Sequence, residues 1–134
     1  MWTWSGTYYR DGQHTLPDDP GERADADREL RARIARRIRA NNEWALDAAR
    51  RCGGLSCFIG IDPVVMGEDD MLTEVENAVR RGAKGVKSNF PDAGVLANDR
   101  RLWPLYDHLQ RQEIPIQMVT AEWASGLRDR KTIT

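Results

Sequence analysis

The stretch FIGIDPVVMGEDDMLTEVENAVRRGAKGVKSNF, residues 58–90, sets two apolar runs either side of an amphipathic segment with capping signals at both ends. Extended back to Leu55, the first run is LSCFIGIDP (55–63). It is apolar, partly β-branched and closed by Asp62-Pro63, the pattern of a buried strand. Residues 67–82 then predict a helix. Glu68, Asp69 and Asp70 suit the positive end of its dipole, Arg80 and Arg81 the negative end, and Gly82 the left-handed residue that stops it. Leu72, Val75 and Val79 supply its inward stripe. KGVKS (84–88) is a second, short strand.

The same rhythm continues downstream. Residues 98–112 carry Leu102, Leu105, Tyr106 and Leu109 at helical spacing, with Pro104 in the first turn. IPIQMVT (114–120) reads as a third strand. Upstream, Leu30, Ile34, Ile38, Ala45, Ala49 and Cys52 place a helix over 25–52, with Asn41-Asn42 as a candidate break and Gly53-Gly54 as its stop. Residues 1–20 read as turn-rich, with a breaker cluster from Pro17 to Pro20 and with Trp2, Trp4, Tyr8 and Tyr9 seeking something to pack on. The organisation is therefore an aromatic N-terminal segment, 1–24, and an α/β domain, 25–134.

Strands alternating with helices of this length imply a parallel sheet built by right-handed crossovers. All strands then end on one face, where ligand sites of such folds gather. That face receives Asp62, then Lys87, Ser88 and Asn89, then Val119, Thr120 and Glu122. From this set Lys87, Asn89, Thr120 and Glu122 are the candidate substrate-binding residues.

Several function classes are disfavoured. A net charge of −1 gives no footprint for nucleic acid or an anionic membrane, and no apolar run reaches the roughly 20 residues of a membrane span. Arginine is dense from Arg23 to Arg39 and outnumbers the acids, which offers a local nucleic-acid reading; the reading preferred is a solvated helix face laced with pairs such as Asp27–Arg31. The first residues lack the basic and apolar regions of a secretory leader, and Cys52 and Cys57 read as buried free thiols, so a cytoplasmic setting is expected. His14 and His108 stand apart, without HxH, HExxH or paired CxxC, so no sequence-local metal site is expected and no catalytic residue is assigned. Neither VVMGEDD nor FPDAGV has the glycines of a phosphate-cradling loop. A phospho-acceptor receiver domain would need a lysine on a late strand, where Val119-Thr120 stand instead.

Read together, Gly60-Ile61-Asp62-Pro63, Gly82-Ala83-Lys84-Gly85-Val86-Lys87, Asn98-Asp99, Leu102 with Pro104-Leu105-Tyr106, and Ile114-Pro115-Ile116 with Thr120 follow a known order and spacing. They resemble the central part of the amidohydrolase-related metal-dependent hydrolases and decarboxylases, over about half of the chain. The resemblance implies a partial (β/α)8 barrel acting on a small carboxylate substrate. It also implies a divalent metal, usually zinc, that activates water or assists decarboxylation. The family's metal ligands are not matched: no HxH is present, and two family histidine positions fall at Asn89 and Val119. The expectation is a truncated or divergent form that binds no metal by itself. The alternative is a non-catalytic α/β ligand-binding or interaction domain. An unfinished sheet would also leave an edge open to self-association, so a homo-oligomer is among the expectations.

Overall fold

The computed structural model describes residues 5–119 of the 134-residue chain. The observed elements are helices α1 (Ser5–Gln13) and α2 (Pro20–Arg51), strand β1 (Phe58–Gly60), helix α3 (Glu68–Arg80), strand β2 (Gly85–Ser88), helices α4 (Phe90–Ala93) and α5 (Trp103–Arg111), and strand β3 (Ile116–Met118). A 3-10 turn, Arg100–Leu102, leads into α5. The strands form one parallel sheet in the order β1-β2-β3, with Phe58 opposite Gly85 and Val86 opposite Ile116. This is the expected α/β class: parallel strands alternating with helices, as in part of a (β/α)8 barrel.

The two faces of the sheet differ. Ile59 and Val86, in register, are fully buried and join the core built by Val75 and Ala78 of α3 and Leu105 and Leu109 of α5. Each of these side chains except Ala78 contributes about 1.5–3 kcal/mol on burial. The alternate residues Phe58, Lys87 and Gln117 point the other way and are half-buried or exposed. Lys87 is thus half-buried because it sits on the open face, with Gly60 and Gln117 as its strand neighbours.

Several sequence readings are corrected. Residues 5–13, expected to be turns, are helical. Gly6 and Gly12 are poor helix formers, but they are where α1 comes closest to the rest of the fold. A Cβ at Gly12 would stand 2.7 Å from Leu30 Cδ2. Tertiary contact outweighs local propensity here. Tyr9 donates to Asp27 Oδ1 at 2.7 Å, and Arg31 lies over the Tyr9 ring at 5.0 Å while bonding Asp27 at 2.9 Å. The Asp27–Arg31 pair thus helps seat α1 on α2. Pro20, read as a breaker, opens α2 instead: Asp19 caps the helix by accepting from Gly21 and Glu22 N–H, and proline at the first position suits it.

Asn41-Asn42 does not break α2, which runs unbroken through 32 residues, because the Asn42 side chain turns to the sheet. The α3 stripe is Met71, Val75 and Ala78, with Leu72 and Val79 only partly buried. Cys52 is exposed, because α2 ends there, and only Cys57 is buried; both are free thiols. The strands are shorter than the apolar runs because pairing, not hydrophobicity, delimits them. Trp2, Trp4, Thr120 and Glu122 lie outside the described residues.

Candidate functional site

The carboxyl ends of β1 and β2 converge on a polar cluster inside the fold. Asp62, two residues beyond β1, is 2% exposed; Ser88, the last residue of β2, is also buried; Asp92, in α4, is 1% exposed. Asp62 accepts from the Val64 N–H at 2.8 Å and from the Ser5 hydroxyl. Ser88 Oγ donates to the Ile61 carbonyl at 3.4 Å, tying β2 to the segment after β1.

Asp92 is bound by α1. The Gly6 N–H donates to its Oδ2 at 2.8 Å, the Thr7 N–H reaches the same oxygen at 3.3 Å, and Thr7 Oγ1 donates to Oδ1 at 2.7 Å. Arg10 adds a contact at 3.4 Å to Oδ1 and a bond to the Asp92 carbonyl. The arrangement follows from helix physics: the first N–H groups of a helix lack intrahelical partners and carry its positive dipole end, so a carboxylate there is stabilised. Through Ser5 and Asp92 the N-terminal helix is fixed across the face where the first two strands end.

Burial pushes the Asp62 carboxyl above its ordinary value of 3.8; donors from Ser5, Val64 and Val65 oppose the rise and the nearby Asp92 charge adds to it. An acid whose folded pKa is raised takes up a proton on folding, so its contribution to stability is best at low pH and declines as pH climbs from about 3.8 through the raised value. Asp62→Asn removes that titration. Thermal unfolding of both proteins at several pH values should show the variant gaining on the wild type across that window and level above it. A difference independent of pH would refute the burial account.

Of the sequence-predicted residues, Lys87 and Asn89 are brought to the same strand end. Lys87 lies on the open face, and Asn89 is half-buried between β2 and α4. Asp62 and Ser88 reach this end as the alternation requires, but both are turned into the interior. Asp92 and the Ser5–Arg10 donors were not singled out in the sequence. His14 is exposed beyond α1, and His108 sits on α5 with Glu76 at 3.9 Å, remote from this face.

The sequence profile of the Amidohydrolase family matches residues 5–133. The chain belongs to the amidohydrolase family. The match takes in α1, which the sequence resemblance left out. No curated protein and no solved structure matches. A divalent metal is general in this family, but the described residues do not fit one. No three of His, Cys, Asp or Glu among them come together to hold an ion. The carboxylates at the strand ends, Asp62 and Asp92, already have protein donors on every oxygen.

Proposed function

We propose that this amidohydrolase chain binds a small carboxylate on the open face of its sheet, with Lys87 as the cation and Asn89 as the amide that orients it. Thr120 and Glu122 belong to the same proposal as residues following β3. The observation that carries it is the half-buried Lys87, set on an otherwise weakly charged sheet face beside Asn89 at the end of β2. An ammonium with part of its surround desolvated attracts a carboxylate more strongly than a fully solvated one. The family relationship supports hydrolysis or decarboxylation of that substrate with a divalent metal, zinc first among candidates, in a form of the protein that supplies the missing ligands. The described residues of this chain do not by themselves supply those ligands. Free Cys52 and Cys57 suit a cytoplasmic setting.

A second reading, a non-catalytic ligand-binding or interaction domain, is favoured by one observation: α1 is bonded across the strand ends through Asp62 and Asp92.

Thermal unfolding of the full chain with small mono- and dicarboxylates tests the binding site. A ligand at ten times its Kd should stabilise the protein by about 1.4 kcal/mol, or roughly 5 °C in Tm, and Lys87→Ala should abolish the shift. No shift with any carboxylate would overturn the assignment. Metal analysis after zinc loading separates the readings: stoichiometric zinc with turnover would make this chain an enzyme by itself.

A further inference from the structure

The sheet has two outer edges, and they are not alike. Lys84 N–H bonds the Cys57 carbonyl at 2.8 Å and Ile61 N–H bonds the Lys87 carbonyl at 3.4 Å, so Cys57, Ile59 and Ile61 face β2. By strand alternation the main-chain groups of Ser56, Phe58 and Gly60 face outward. At Gly60 that edge is closed by a side chain. Asn42 Oδ1 accepts from the Gly60 N–H at 2.8 Å and Asn42 Nδ2 donates to its carbonyl at 2.9 Å, as a neighbouring peptide would. Before Gly60, over residues 55–58, the edge borders a cleft of about 270 Å³ whose other wall is α2. Trp44, 67% exposed, and Leu55, 61% exposed, flank it.

On the far side, Val86 N–H bonds the Pro115 carbonyl and Val119 N–H bonds the Ser88 carbonyl, so the main-chain groups of Ile116 and Met118 face outward. Among the described residues no strand pairs with this edge. The chain therefore carries an apolar groove beside one parallel edge and a short apolar strand at the other. Their charges match as well. Arg51, at the end of α2, leads into the groove, and Glu113, at the start of the β3 segment, is likewise exposed. Parallel pairing brings these two strand beginnings together; antiparallel pairing would separate them.

We propose that the outer edge of β3 in one copy of this chain adds, in parallel, to the 55–58 edge of a second copy, with Leu55 and Trp44 covering the incoming Ile116 and Met118. The contact is heterologous: each copy offers a groove and a strand, and association closes into a ring or extends. Asn42 sets the limit of the added strand, since Gly60 has no outward group left to give. This surface does not depend on the carboxylate site, and its test does not read activity.

Sedimentation velocity of the full chain over a wide concentration range should show masses of two chains or more. Leu55→Lys charges the groove at an exposed position. Met118→Pro removes an outward N–H that β2 does not use. Each variant alone should associate at least about tenfold more weakly, a change of about 1.4 kcal/mol. Their equimolar mixture should give a two-chain species, because one intact groove meets one intact strand. Should Met118→Pro fail to fold by circular dichroism, exposed Glu113→Lys takes its place. In that background Arg51→Glu should restore association within a single doubly substituted chain. A wild type that keeps the mass of one chain at every concentration overturns the proposal. So does a wild type that associates while the mixture stays single-chain, since that result means an isologous contact.

Discussion

Asp92→Ala should detach α1 and lower stability by about 3 kcal/mol, because it strips buried donors of their charged acceptor at about 1–3 kcal/mol for each donor left unsatisfied. The carboxylate is 1% exposed and receives two backbone N–H groups and the Thr7 hydroxyl from the first turn of α1. Charge-assisted hydrogen bonds contribute about 1.5–3 kcal/mol each. The simple sum overshoots, because a detached α1 recovers water for its donors. The Arg10 contact adds little, since that side chain is 38% exposed and the pair is 3.4 Å apart. The calorimetric Tm should fall by roughly 10 °C, and amide exchange should accelerate over residues 5–13 while the sheet keeps its protection. Asp92→Asn, which retains one acceptor oxygen, should lose less. Gly6→Ala should imitate Asp92→Ala by another route, because a Cβ there would stand 2.0 Å from the Asp92 carbonyl oxygen. Unchanged exchange of α1 in Asp92→Ala would show that α2, not the buried carboxylate, holds the helix.

The contrast between the sheet and α1 shows how far local pattern reaches in this chain. The three strands, the α3 and α5 helices and their order follow from periods of two and 3.6 with caps and stops at the right offsets, and the structure places all of them. Lys87 and Asn89 arrive at one strand end because the parallel topology leaves them nowhere else to go. The helicity of residues 5–13 was not legible, since the contact that fixes it joins Gly6 to Asp92 across 86 positions of sequence. Asp92 left one usable signal: an acid set among Phe90, Pro91 and Val95, in a run apolar enough to be buried and hence in need of donors. Asn42 left none. As a mid-helix asparagine it reads as a weak point, and only the position of the Gly60 main chain reveals its use.

Asn42→Asp is the second large effect, and its sign with pH is specific. In the wild type, Nδ2 lies 2.9 Å from the Gly60 carbonyl oxygen and 2.8 Å from Glu74 Oε1, with the side chain 4% exposed. An ionised carboxylate in this place sets an oxygen against a carbonyl oxygen and a second carboxylate. A loss of about 3 kcal/mol or more is expected at neutral pH, as for an uncompensated buried charge. Burial and the like charge both raise the introduced acid's folded pKa above the usual 3.9 or so for aspartate. The deficit should therefore shrink toward low pH, where the protonated acid can again donate to Gly60 or Glu74, and grow as pH rises through the raised value. Urea unfolding of wild type and variant at pH 4 and pH 7 reads this directly, and an equal deficit at both would contradict the charge account. Asn42→Ala, with no charge to bury, should lose about 2 kcal/mol at either pH, from the two unpaired Gly60 groups. By freeing those same groups it also lengthens the open edge of β1, so the less stable variant should associate more tightly than the wild type. Stability and self-association would then move in opposite directions, as they must if one carboxamide both completes the sheet and limits what can be added to it.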